Sequence, residues 1–144
     1  MARIEVPIRA VIENPPAGVT WALQLSKGDL SELMGPTRTE ADRLVFDFAI
    51  QADRHDDGGL RLLGPGVQGP PDGRFFYLNS GTYAGQEHPT FGRRAKVGLT
   101  GLTWALIESL RPGRRLQVRI AGTDKKGGPA CATVPLLSPG WQIV

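Results

Sequence analysis

The sequence predicts an all-β, mainly antiparallel sandwich or barrel with one short α-helix near residues 103–110. Apolar residues recur at every second position in several short stretches, the period that turns one side of a strand toward a core. The 19 glycines and 12 prolines cluster between those stretches, as turns require. No strand-helix-strand alternation is visible, so sheet edges must be hidden by face-to-face packing or by closure.

Ile4, Val6, Ile8, Ala10 and Ile12 alternate with Glu5, Pro7, Arg9 and Glu13 and read as a half-buried strand. Pro7 has no N–H to donate, which points to a sheet edge or a bulge. Asn14-Pro15-Pro16-Ala17-Gly18 turns the chain into Val19, Trp21, Leu23 and Leu25, giving an expected first hairpin. Residues 26–43 read as a connection. Leu44, Phe46, Phe48, Ile50 and Ala52 form the cleanest alternation, and Asp56-Asp57-Gly58-Gly59 returns it into Leu60 to Leu63 as a second hairpin.

Arg74 to Asn79 is apolar on both faces, which suits a central strand, and Ala95 to Leu99 is a further short strand. Thr103 to Leu110 is the helix: Leu102, Leu106 and Leu110 share a face, Thr100 or Thr103 can cap it, and Arg111-Pro112-Gly113 stops it. Leu116, Val118 and Ile120 alternate again, and Asp124 to Gly128 turns toward Ala130 to Leu136 as an expected last hairpin before Trp141 to Val144.

With 144 residues the chain fits one domain, 1–144, and 40% hydrophobic with 22% charged residues is a globular composition. The charged start of the chain has no signal-peptide core and no later run reaches the ~18–20 apolar residues of a membrane span, so a cytoplasmic protein without membrane contact is expected. Cys131, the one cysteine, cannot form an internal disulfide, which agrees with a reducing compartment and reads as a packing thiol. Charge is uneven: residues 1–90 carry 8 basic and 12 acidic side chains, residues 91–144 carry 9 and 2. An anionic partner is one reading, provided the fold gathers those cations on one face.

Gly64-Pro65-Gly66-Val67-Gln68-Gly69 matches the dinucleotide fingerprint in letters only, because Pro70-Pro71 and another strand follow where a phosphate-binding helix is required. A rigid connection is the better reading, and no cofactor is expected. The turn Asp53-Arg54-His55-Asp56-Asp57 lacks the bidentate glutamate of a calcium loop, since position 64 is glycine, and no metal site is expected. No nucleophile motif accompanies His88. The stretch 64–96 combines aromatic walls with a few polar anchors among glycine bends, as small-ligand pockets do.

Leu63 to Pro71, Arg74-Phe75-Phe76-Tyr77, Ala84-Gly85-Gln86 and Arg93-Arg94-Ala95-Lys96-Val97, with Pro16-Ala17-Gly18-Val19, Trp21 and Gln24, resemble a family of short bacterial proteins known only as a domain of unknown function. The resemblance implies a freestanding bacterial domain and brings no activity, cofactor or catalytic residue with it.

Function is therefore read from the residues. The leading expectation is a small-molecule binding domain for an anionic or carbonyl-bearing ligand, lined by Gln68, Arg74, Tyr77, Asn79, Tyr83, Arg93 and Arg94. His88 with Glu87 would be the acid-base pair if the domain were a cofactor-free isomerase or cyclase. Two alternatives stay open. One is a nucleic-acid or other polyanion module using Arg93, Arg94, Lys96, Arg111, Arg114, Arg115, Arg119, Lys125 and Lys126. The other is a homodimeric interaction module built on an exposed edge strand such as that carrying Pro7.

Overall fold

Val6, Ile8, Ala10 and Ile12 are all fully buried, as are Phe46, Ile50 and Ala52, so the period of two selects one face of each strand for the core. The computed structural model describes residues 3–54, 59–83, 85, 87–122 and 140–144, apart from the side chain of Arg93. Among them are β1 (Ile4–Glu13), β2 (Thr20–Gln24), β3 (Leu33–Met34), β4 (Arg38–Glu40), β5 (Arg43–Arg54), β6 (Leu60–Leu63), β7 (Phe75–Thr82), β8 (Thr90–Gly98), α1 (Trp104–Glu108), β9 (Leu116–Ala121) and β10 (Gln142–Ile143).

The strands form two sheets that are not closed into a barrel, so the sandwich is the arrangement adopted. The larger sheet has the order β10-β9-β1-β5-β4, with β6 also on β5; the smaller has the order β3-β2-β7-β8. Their inner faces share one core, where the rings of Phe48 and Phe76 meet edge to face at 5.2 Å.

β1 is a central strand, not an edge. It lies antiparallel to β5 from Ile4↔Ala52 to Glu13↔Arg43 and parallel to β9 from Ile8↔Leu116 to Glu13↔Ala121. Proline is accommodated because β9 joins only at Ile8, so at Pro7 only β5 lies alongside. The expected first hairpin does not form: β1 and β2 belong to different sheets, and the turn after Asn14, which has φ +52°, carries the chain from one to the other. The connection 26–43 contains two short strands, β3 and β4, each pairing at a sheet margin.

The second hairpin is present, with β5 antiparallel to β6 from Gln51↔Leu63 to Arg54↔Leu60; its tip, 55–58, lies outside the described residues. Segment 123–139, holding Cys131 and the expected last hairpin, also lies outside them, while β10 pairs with β9. α1 begins where expected: Thr103 caps it by accepting a hydrogen bond from the Leu106 N–H at 3.2 Å. Ile107 is its buried residue, and the Arg54 guanidinium, 4.7 Å above the Trp104 ring and 3.1 Å from Glu108, ties the helix to β5. No helix of the described residues is long and apolar enough to cross a membrane.

On the outer face of the larger sheet, Arg9 and Asp47 stand directly opposite in the β1–β5 register and form a two-pronged pair at 2.7 and 3.1 Å. The hydrogen bonds from Arg9 hold the Asp47 carboxyl below its ordinary range against the opposing effect of burial, and Arg115 adds to the lowering. Replacing Asp47→Asn should cost about 1.5–3 kcal/mol at neutral pH, the value of hydrogen bonds to a charged group. A lowered folded pKa means that this stability is complete above the unfolded carboxyl value of about 3.9 and is lost as pH falls through the lower folded value. Urea unfolding should thus show a gap between wild type and variant at pH 7 that narrows below about pH 3; an equal gap at both pH values would assign the cost to packing.

Candidate polar cleft on the smaller sheet

Phe76, Leu78 and Ser80 of β7 face the core, which leaves Phe75, Tyr77 and Asn79 on the outer face of the smaller sheet. In register beside them stand Ala22 of β2, opposite Asn79, and Arg94 and Lys96 of β8, opposite Asn79 and Tyr77. An outer face would ordinarily be wet, yet Asn79 is only 2% exposed and Gln24, at the end of β2, is fully buried.

The cover is the loop that follows β2. Asn79 donates from Nδ2 to the Gln24 Oε1 at 3.2 Å, and Gln24 donates in turn to the Ser26 carbonyl at 3.1 Å. Gln68 holds the loop from its other side, accepting from the Gly28 N–H at 3.2 Å. Gly66 permits this approach: its φ is +77°, and a Cβ there would overlap the Gln24 carbonyl. Within the loop, the Asp29 carboxylate takes the Ser31 hydroxyl at 2.7 Å and the Ser31 N–H at 3.1 Å, which hold its pKa below the usual range.

The cations are held against the aromatic row. The Arg94 guanidinium lies 4.6 Å from the Tyr77 ring centre and the Lys96 ammonium 4.1 Å from that of Phe75, while the two rings meet edge to face at 5.0 Å. Between the loop and β8 remains a cleft of about 250 Å³ lined by Gly28, Asp29, Leu30, Asn79, Phe91, Gly92 and Arg94. It can offer cationic donors, a carboxylate, an amide and an aromatic wall.

The structure separates the residues that the sequence grouped into one pocket. Tyr77, Asn79 and Arg94 come together, and Gln68 supports their wall. Arg74 donates to the Gly69 carbonyl at 2.6 Å and lines a different cleft, of about 200 Å³, floored by Leu60, Leu62, Leu99 and Leu102. Arg74 precedes β7 and Tyr83 follows it, and nine extended residues span roughly 30 Å. Tyr83, Glu87 and His88 stand exposed in the β7–β8 connection and line none of these clefts. Arg93 lies in β8 opposite Ser80.

Sequence reading gives no site role to Gln24, Asp29, Leu30 or Phe91. A signal was present: Gln24 is a lone polar residue ending an apolar strand, and Asp29-Leu30-Ser31 carries a side-chain-stabilised turn.

The other basic residues are dispersed. Arg115 donates to the carbonyls of Ile8 at 3.3 Å and Phe48 at 3.5 Å, Arg119 lies 3.4 Å from Glu13, and Arg111 and Arg114 are exposed after α1. Lys125 and Lys126 lie outside the described residues. A third cleft, about 310 Å³, is lined by Glu13, Asn14, Glu40, Asp42, Arg43 and Arg119, whose charges largely pair with one another.

Fold and cleft together define a two-sheet β-sandwich with a polar and aromatic recess on the outside of its smaller sheet. The chain belongs to a family of unknown function (DUF5990), whose model matches residues 6–144. No curated protein and no solved structure matches it.

The amide relay that builds the recess is open to test. Asn79→Ala leaves the buried Gln24 oxygen without its donor and should lower stability by about 1–3 kcal/mol in chemical denaturation. A loss below about 0.5 kcal/mol, the range of an ordinary surface substitution, would show that the loop stands without this relay.

Proposed function

We propose that the recess between the Gly28–Leu30 loop and β8 binds a small anionic or carbonyl-bearing ligand. One observation carries the reading: Arg94 is held over the Tyr77 ring, 4.6 Å from its centre, at the edge of the cleft, and among the described residues no carboxylate pairs with it. A cation held over a ring is kept in place without using up its N–H donors, and the guanidinium fork of donors suits carboxylate or phosphate. Asn79 adds a polar contact and Phe91 an apolar wall, the mixture found where a small molecule is oriented.

The reading is of binding and not of turnover. His88 and Glu87 are exposed and border none of the clefts described, so this pair is not aimed at the recess. Asp29, held ionised by Ser31, also faces the cleft and favours ligands that bring a donor or positive group alongside the anionic one.

A thermal-shift screen of small carboxylates, phosphates and amino acids, followed by calorimetry on the hits, tests this directly. Arg94→Gln should weaken the best ligand at least about tenfold, the loss of one charged contact, with the melting temperature of the free protein nearly unchanged. Ligand affinity equal to wild type in Arg94→Gln, with a loss in Arg74→Gln instead, would move the site to the leucine-floored cleft.

A further inference from the structure

We propose that the edge of β8 from Arg94 to Gly98, which pairs with β7 alone among the described residues, accepts an extended acidic peptide as an additional strand of the smaller sheet. The edge is identified by the hydrogen-bond pattern. Phe75 exchanges both of its backbone hydrogen bonds with Gln68, at 2.9 and 2.8 Å, so its N–H and C=O point away from β8. The pair Phe75↔Gly98 is therefore non-bonded, and alternation along an antiparallel ladder makes Tyr77↔Lys96 and Asn79↔Arg94 non-bonded as well. The Leu99 N–H bond to the Arg74 carbonyl, 2.9 Å, fixes the same phase. It follows that the N–H and C=O groups of Arg94, Lys96 and Gly98 point outward, and β8 pairs with β7 alone among the described residues.

Edge strands are usually shielded by long charged side chains. Here both cations fold back over β7, Arg94 onto Tyr77 and Lys96 onto Phe75, so they lean away from the open backbone, and Gly98 has no side chain to obstruct it. Three outward donor-acceptor sets at alternate residues match one side of a five-residue strand. Charge selects the occupant: residues opposite Arg94 and Lys96 on a neighbouring strand lie about 4.5–5.5 Å away, where acidic side chains are favoured and basic ones opposed. A second copy of β8 would bring Arg94 and Lys96 against their own kind, so the complement is an acidic strand and not this chain.

The recess and the edge share Arg94 but are separable, because Lys96 and Gly98 do not line the recess. The test uses fluorescence anisotropy with a labelled heptapeptide alternating glutamate and valine, its lysine-for-glutamate counterpart, and a version N-methylated at alternate residues. The glutamate peptide should bind at low salt; Lys96→Glu should weaken it and improve the lysine peptide, each by about tenfold. Methylation on the bonding side should abolish binding, and Gly98→Pro, which removes one outward N–H, should do likewise with β7 pairing intact, as a retained melting temperature would show. Equal binding of methylated and unmethylated peptides, or no binding of the glutamate peptide, would overturn the proposal. A dimer by light scattering that Gly98→Pro dissociates would also overturn it by giving the edge to a second copy.

Discussion

The strand β1 is the constraint on which the rest of the larger sheet depends. It is bonded on one side to β5 and on the other to β9, and its inward residues Val6, Ile8, Ala10 and Ile12 are inaccessible to solvent. Sliding it by one residue would send that whole row outward and bring Glu5, Arg9 and Glu13 into the core, which makes the register close to unique. The outer face reinforces the same register, because Arg9 meets Asp47 with both prongs only when those two residues are directly opposite. Hydrophobic and ionic criteria agree at this strand, as they must where a sequence specifies one structure.

The smaller sheet follows a different logic. Its inner face is apolar apart from Ser80, but its outer face buries amides under a loop, and local expectation fails there: glutamine and asparagine at solvent-side positions are almost wholly enclosed. Each enclosed amide is matched, Asn79 to Gln24 and Gln24 to the Ser26 carbonyl, so enclosure costs little in unpaired polar groups. An apolar pair could close the loop as well; the polar one fixes how the loop sits, and thereby where Asp29 and Leu30 stand relative to Arg94. Departures from simple patterning gather where the recess lies, which is where a binding surface would place them.

Strand identity is legible because period two reports itself within a few residues; the helix start is legible as a cap at Thr100 or Thr103, and Thr103 is the one that accepts from Leu106. Pairing is not. The parallel contact of Ile8 with Leu116 joins residues over a hundred positions apart, and nothing near either records the other. Asn14-Pro15-Pro16 reads as a turn and forms one, but turn chemistry does not say whether the next strand returns to the same sheet or crosses to the second. For the site, alternation placed Tyr77 and Asn79 on one face, whereas the wall from Gly28 to Leu30 depends on a loop folding back onto a sheet. The residues grouped over 68–94 lie along an extended β7, so Arg74 stands at one cleft and Asn79 with Arg94 at another.

The uneven charge of the sequence gains its meaning from the same topology. β9 brings basic residues of the last third beside acidic residues of the first: Arg119 reaches Glu13, and Arg115 lies 3.9 Å from Asp47. Part of the asymmetry, two of the nine basic residues, is thus complementarity between strands that meet only after folding. Among the described residues of the basic third, Arg94, Lys96, Arg111 and Arg114 are left without an acidic partner. Two of the four stand side by side on β8, held against aromatic rings that fix their positions before anything approaches. Net charge alone would describe a diffuse attraction for anions; among the described unpaired cations, Arg94 and Lys96 are local and ordered on the strand that borders the recess, while Arg111 and Arg114 stand apart after α1.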